Sequence, residues 1–356
     1  MAKKVLVVAT SRKTRGGITS VVKAHETGEQ WKKYHCRWIE THRDGPAWRK
    51  ILYFIIGSIE YFLLAPWYDI IHMHVSFLGS LSRKCLYMRY AKLLRKKTIV
   101  HFHPPGPEVL LNSRNQPKYR YLFENADKVI VLSGVWKTLI ERNIYKTNPL
   151  NLVKKNNICV LYNPSPKVEE NRLLPVCKKE KYILFAGTLY YRKGYKSLVR
   201  AFSRIAKQYP DWKIFFAGFD QECEINELVN KLGLNEQVEI LGWCDKNKMK
   251  ELYRNAGVFC LASSGEGFPM VVLEAWAFGV PVVCTPVGGL PDIVKEGENA
   301  LTFDFDNDAF LAKQLDKLLK DESLRIRLSC AGIELAKSVF DVQVINKKLE
   351  KIYETL

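Results

Sequence analysis

Short β-branched runs alternate with stretches of helical spacing along the whole chain. Val5–Thr10, Asp69–Val75, Thr98–His103 and Lys128–Leu132 read as buried strands in the first half. Tyr182–Gly187, Trp212–Gly218, Val238–Leu241, Val258–Leu261 and Pro281–Cys284 do so in the second. Between them lie segments of roughly 10–20 residues whose apolar positions recur at helical spacing. That alternation is the pattern of βαβ units and parallel sheets. The two sets of strands are parted by residues 163–171, Asn-Pro-Ser-Pro-Lys-Val-Glu-Glu-Asn, where two prolines and a charge cluster predict a linker. The expected organisation is two doubly wound α/β domains, 1–166 and 167–340, facing each other and binding ligand at the carboxyl ends of their strands. The tail 341–356 is a separate helix with Val344, Ile345, Leu349, Ile352 and Tyr353 on one face, expected to pack back on the first domain.

One segment tests for a membrane. Residues 51–68 form an apolar run broken only by Glu60, with Gly57 in the middle and Pro66 near its end. It is marginally long enough to span, but the charge mid-way, Gly57 and the late Pro66 argue against that. The expectation is an apolar helix packed on a sheet, with a helix in the membrane interface as the alternative.

Composition adds charge to this picture. The 356 residues are 47% hydrophobic, as expected for a folded chain, and carry a net charge of +18. Residues 1–170 hold 29 Lys and Arg against 12 Asp and Glu, whereas residues 171–356 hold 26 against 25. The basic half is therefore the one expected to meet an anionic partner. Nine cysteines form no C-x-x-C pair, and several lie in apolar runs, as Cys260 and Cys284 do. Reduced thiols in a cytoplasmic protein are expected, and Lys3-Lys4 before a strand-like run does not resemble a secretory leader.

Candidate phosphate and metal motifs narrow the chemistry. No G-x-G-x-x-G follows the first strand, which argues against a dinucleotide oxidoreductase. Residues 187–194 resemble a P-loop only in part, with Arg192 and Gly194 where a glycine and a Ser or Thr belong. Asp304-Phe305-Asp306 has a metal-binding spacing but opens a predicted helix, so N-capping explains it better. Gly16-Gly17 follows the first strand after a basic loop, and reads equally as a tight turn or as an anion site at a helix start. His72 and His74, then His101 and His103, form two H-x-H pairs on adjacent predicted strands. Without a neighbouring carboxylate they are expected to line a core or site rather than hold a metal. His103 stands at a strand's carboxyl end, where a site residue belongs.

The strongest constellation runs from Leu261 to Asp292. Glu266 and Glu274 stand in an apolar setting, and Gly288-Gly289-Leu290-Pro291 follows. On a continuous helix two carboxylates so spaced would be about 12 Å apart, too far to act on one bond. They suit two anchors on different parts of one elongated ligand.

Glu266 to Glu274 resembles the E-x7-E motif of the retaining glycosyltransferases of family 4, which have the GT-B fold of two Rossmann-like domains across a cleft. The Gly16-Gly17 loop, Val129–Ser133, Tyr162-Asn163, Leu241-Gly242 and Gly288–Pro291 also resemble that family's motifs. The resemblance implies a UDP- or GDP-linked sugar donor held mainly by the second domain, with no metal and no other cofactor. It implies that Glu274 holds the ribose hydroxyls and Glu266 those of the transferred sugar, helped by amides at Gly267 and Phe268. Arg192 and Lys193 would neutralise the diphosphate, with Gly288, Gly289 and Leu290 in the same donor site. Gly16 and Gly17 would supply amides from across the cleft, and His103 would lie near donor sugar and acceptor. Retention in the family is front-face, with the leaving phosphate taking the acceptor proton.

The sequence departs from that family at three loops. Thr188 stands where many members have Arg, Asn163-Pro164 replaces Asn-Gly, and Gly218-Phe219-Asp220 replaces Gly-x-Gly. The expected activity is transfer to a lipid-linked glycan in cell-surface polysaccharide assembly, such as capsule or lipopolysaccharide. The basic half would then rest on the anionic inner face of the cell membrane. A soluble acceptor is the alternative within the fold. A basic nucleic-acid-binding protein is the rival from another class, but no nucleic-acid motif accompanies the charge.

Overall fold

The computed structural model describes residues 3–77, 79–112, 114–145 and 157–356. They form two compact units, one of Met1–Pro164 with Val342–Leu356 and one of Ser165–Asp341. The first holds six strands: β1 (Val5–Ala9), β2 (Arg37–Glu40), β3 (Ile70–Val75), β4 (Lys97–Phe102), β5 (Lys128–Val131) and β6 (Ile158–Val160). They pair in the order β2-β1-β3-β4-β5-β6, every pair parallel. The second holds β7 (Glu180–Ala186), β8 (Lys213–Ala217), β9 (Val238–Gly242), β10 (Ala256–Leu261), β11 (Val282–Cys284) and β12 (Leu301–Thr302). Their order is β12-β11-β10-β7-β8-β9, again all parallel.

Parallel strands covered by helices on both faces must be apolar throughout, which is why β1, β3 and β10 are wholly buried. Numbered within its own unit, the second sheet runs 3-2-1-4-5-6, so the strand order reverses between β7 and β10. In such sheets the loops leaving the two central strands diverge to opposite faces and open a crevice at their carboxyl ends. The first sheet reverses in the same way between β1 and β3.

The strands that the apolar pattern does not reveal, β2, β6 and β12, all lie at sheet edges. An edge strand buries less of itself, and β2 and β6 each expose a residue at one end. The linker expected at 163–171 is anchored where it begins. Ser165 Oγ donates to the carbonyls of Ala336, at 3.0 Å, and Phe340, at 3.1 Å.

The tail helix Val342–Glu354 belongs to the first unit. Ile345, Leu349 and Tyr353 enter the core formed by Val5, Val7, Ile70, Ile99 and Ile130. Lys33 Nζ ties its outer side through Glu350, at 2.6 Å, and Glu354, at 3.1 Å.

Two local expectations need correction. Asp304-Phe305-Asp306 does not cap the helix Asp308–Lys320; its cap is Asn307, whose side chain accepts from the Phe310 amide at 3.1 Å. Asp306 and Asp308 instead hold Arg200. The apolar helix, Ala47–Leu64, does pack on the sheet, but not by its apolar side. Gly57, Ser58 and Tyr61 are the residues it buries, while Ile51, Leu52, Ile55, Ile56, Ile59 and Leu63 are exposed. Gly57 explains the close approach, because a Cβ there would lie 2.4 Å from the Glu40 carbonyl of β2. Hydroxyls finish the contact, Ser58 with Tyr87 at 2.7 Å and Tyr61 with the Tyr87 carbonyl at 2.7 Å.

Candidate functional site

The crevice of the second unit is built by three loops, which leave β7, β10 and β11. The loop after β7 carries Thr188, exposed, then Arg192 and Lys193 on a short 3-10 turn. Gly194 ends that turn at φ +68°, and a Cβ on it would stand 1.9 Å from the Ala262 carbonyl. The loop therefore lies directly on the chain leaving β10. Ser264 N donates to the Arg192 carbonyl at 2.8 Å, and the Arg192 guanidinium donates to the Gly265 carbonyl and the Tyr190 hydroxyl. Arg192 thus acts as a brace between two loops as well as a positive charge at the crevice.

Glu266 lies in the loop after β10, ahead of the helix Met270–Ala277 that carries Glu274. The two carboxylates stand on different elements, so the continuous-helix spacing does not apply. Glu266 is 8% exposed. Its Oε1 accepts from Ser263 Oγ and from Lys193 Nζ, each at 2.6 Å. Its Oε2 has no hydrogen-bond partner among the described residues. A largely desolvated carboxylate held by one cation and one hydroxyl, with an oxygen to spare, is equipped to accept further hydroxyl donors.

The loop after β11 closes this arrangement. Gly288 sits at φ +63°, and a Cβ there would meet the Glu266 carbonyl at 2.1 Å. Gly289 N then donates to the Gly267 carbonyl at 2.9 Å. Leu290 starts a 3-10 turn and is fully buried. Phe268, also buried, anchors the far side of the Glu266 loop with its ring 6.0 Å from that of Phe340. Gly218 keeps the loop after β8 equally close, since a Cβ there would lie 1.8 Å from the Gly187 carbonyl.

Glu274 Oε2 accepts from the Tyr253 hydroxyl at 2.9 Å. Burial raises its carboxyl above the ordinary range, and the Tyr253 bond works against that shift. Tyr253, on the helix Lys246–Asn255, is the site residue that sequence reasoning misses. In sequence it is one more apolar-face residue of a surface helix.

In the first unit, Gly16 and Gly17 follow β1 at the start of the helix Gly17–Glu26, with Gly16 at φ +136° and open space around its Cβ position. The basic loop before them is partly neutralised, as Arg12 pairs with Glu26 at 2.7 Å and Glu40 at 3.3 Å. A cavity of about 700 Å³ lies between β2 and the apolar helix, lined by Arg12, Arg37, Trp38, Leu52, Tyr53 and Ile56 among others.

The two H-x-H pairs do come together. His74 of β3 is in register with His101 of β4, and the His72, His74, His101 and His103 rings stack in one column with centroids 4.3–5.5 Å apart. His25 joins it 6.1 Å from His101. His72 Nδ1 meets the Tyr353 hydroxyl at 2.8 Å, His25 Nδ1 meets Asn346 Oδ1 at 2.9 Å, and His74 Nδ1 meets His103 Nε2 at 2.9 Å. Burial lowers every member of the column, His25 to about 4 and His103 to about 3. The rings are neutral at pH 7. His103, at the end of β4, is the least buried of them.

Comparisons with known proteins bear on the family and the fold. Residues 169–334, nearly the whole second unit, match the model of the family described as glycosyl transferases group 1. An uncharacterized glycosyltransferase of Haemophilus influenzae is 31% identical over 207 residues, covering 57% of this chain and 54% of that protein. The amylovoran biosynthesis glycosyltransferase AmsD of Erwinia amylovora is 31% identical over 206 residues, covering 56% and 54%. In both, the match spans about half of the relative's length. Anabaena HepE, solved in complex with UDP, superposes with a TM-score of 0.76 at 17% identity, over 99% of this chain and 100% of its own. That likeness shows the fold, which is GT-B.

Proposed function

We propose, from the premise that residues 169–334 are a group 1 glycosyl transferase domain, that the chain is a retaining glycosyltransferase. It would take a UDP- or GDP-linked sugar as donor and a lipid-linked glycan of a cell-surface polysaccharide as acceptor. The observation that carries this reading is the second unit's crevice. There Glu266, paired with Lys193, and Glu274, bonded to Tyr253, stand on separate elements under a glycine loop that admits no side chain at Gly288.

Each part has a role in that reading. Glu274 accepts from the ribose hydroxyls, which suits a carboxylate bound to the protein by a single hydroxyl. Glu266 accepts from hydroxyls of the transferred sugar through Oε2. The amides at Gly267 and Phe268 help it hold that sugar, while Lys193 and Arg192, with the Gly288 loop, face the charge that grows on the diphosphate as the C1–O bond breaks. The acceptor oxygen forms the new bond on the same face, and its proton passes to the leaving phosphate. No metal enters the scheme. In this reading the Gly16 and Gly17 amides serve the donor, and His103 lies near the donor sugar and the acceptor.

The acceptor class rests on charge and names. The basic first half suits the anionic cytoplasmic face of a cell membrane, and AmsD is named for amylovoran biosynthesis. Incubation with radiolabelled UDP- and GDP-sugars and polyprenyl-pyrophosphate-linked sugars tests the reading. Label should enter the organic phase from one donor, with the anomeric configuration kept. Label transferred only to a water-soluble acceptor would replace the lipid-linked reading, and no turnover of any nucleotide sugar would sink the donor site.

A further inference from the structure

The helix Ala47–Leu64 and the short turn Ala65–Trp67 after it turn their large apolar side chains away from the protein. Trp48 is 62% exposed, Ile55 48%, Ile59 55%, Leu63 67% and Trp67 75%, with Ile51 between them, while Leu52 and Ile56, also exposed, form the edge of the stripe that borders the cavity beside β2. The spacing places all of them on one stripe, opposite the Gly57, Ser58 and Tyr61 face that holds β2 and Tyr87. An isolated exposed aliphatic residue needs no explanation, but a continuous stripe about 27 Å long does.

The charges around the stripe identify what covers it. Arg49 and Lys50 mark its beginning, with the Arg49 guanidinium 5.4 Å from the Trp48 ring centre. At its other end Lys96 Nζ donates to the Pro66 carbonyl at 2.7 Å, and Leu93 on the neighbouring helix is exposed. The helix's single carboxylate, Glu60, is neutralised by Arg37 at 2.7 Å. Both ends are therefore cationic. Pairing with a second copy about a two-fold axis, parallel or antiparallel, would bring like charges together. An anionic bilayer matches both ends and the apolar stripe at once, with tryptophans at the depth they favour.

We propose that this helix lies flat in the interface of an anionic bilayer and inserts its Trp48–Trp67 stripe among the acyl chains. It does not cross the membrane, because the opposite face is fastened to β2 at a glycine that admits no Cβ. This deepens the membrane reading above by locating the contact: insertion at one helix, with the basic surface adding attraction.

Sedimentation of the full chain with phosphatidylcholine vesicles, with and without phosphatidylglycerol, tests it against an Ile55→Asp/Ile59→Asp variant. These side chains point outward, and retained far-UV circular dichroism and nucleotide-induced thermal shift establish that the variant is folded. Wild type should bind anionic vesicles and keep part of that binding in high salt. The variant should lose roughly 100-fold in partition, about tenfold per aliphatic group withheld from the interface. A folded variant that binds as well as wild type would overturn the helix assignment while leaving a purely electrostatic membrane contact. Wild type that binds no vesicle would overturn both. A wild-type dimer that the variant converts to a monomer, without vesicle binding, would assign the stripe to a second copy instead.

Discussion

Replacing Glu274 by Gln should move stability and nucleotide affinity in opposite directions. The carboxylate is buried, its pKa is raised by that burial, and its one hydrogen bond among the described residues comes from Tyr253 at 2.9 Å. A group whose folded pKa exceeds its unfolded one stabilises the fold most fully below the unfolded pKa, and this contribution is lost as pH rises through the folded value. Once ionised, Glu274 is therefore a cost to the nucleotide-free protein. Gln keeps an acceptor for Tyr253 and removes that cost. The Tm without nucleotide should therefore rise. The same change weakens nucleotide binding, because hydrogen bonds to a charged acceptor are worth about 1.5–3 kcal/mol where neutral ones are worth about 1. Calorimetric titration with UDP and GDP should show a loss of roughly 10–100-fold for whichever nucleotide binds wild type. Scanning calorimetry without nucleotide over a pH series should show the gain grow as pH rises. A lowered Tm with nucleotide affinity within threefold of wild type would refute the reasoning and leave Glu274 a structural partner of Tyr253.

Other perturbations follow from the same geometry. Gly288→Ala forces a Cβ against the Glu266 carbonyl, 2.1 Å away, at a left-handed backbone position; we expect a lower Tm and a loss of turnover beyond about 100-fold. Lys193→Met leaves Glu266 buried with Ser263 as its remaining partner, so stability should fall by up to about 3 kcal/mol, and kcat about 100–1000-fold. Adding Glu266→Gln to it should restore stability without restoring turnover, and a double-mutant cycle in urea checks this. The histidine column makes the first unit acid-sensitive. Its members are depressed below the ordinary value of 6.5, to about 4 for His25 and about 3 for His103. Their stabilisation is present above pH 6.5 and lost as pH falls, by about 1.4 kcal/mol per histidine per pH unit between roughly 6 and 4. Urea midpoints should drop steeply across that range, and histidine NMR signals of the column should not titrate above pH 5.

The parallel sheets and the loop chemistry were legible because each is written in a short stretch of chain. Wholly buried strands such as β10 read as unbroken apolar runs, and the loops at their carboxyl ends carry Glu266, Gly288 and Lys193 within a few residues. Of the four edge strands only β9 was legible, since β2, β6 and β12 lack such runs. Tyr253 was hidden for another reason. Its hydroxyl meets Glu274 only in the tertiary structure, and nothing in the surrounding helix pattern marks it. The apolar helix misled the reading in an instructive way. Hydrophobic content alone points inward, but Gly57 and two hydroxyl-bearing residues chose which face met the sheet. Arg192 shows the limit of motif transfer, because its role as a brace to Gly265 depends on a carbonyl 73 residues away in the chain.

The central claim is a nucleotide-sugar site made by the loops after β7, β10 and β11. A crystal structure of the full chain grown with UDP or GDP tests it most directly. The account predicts the ribose on Glu274, the diphosphate between Lys193 and the Gly288-Gly289 loop, and Glu266 free to turn its Oε2 toward the sugar position. A nucleotide bound elsewhere, with the Glu274–Tyr253 and Glu266–Lys193 pairs undisturbed and unapproached, would contradict it.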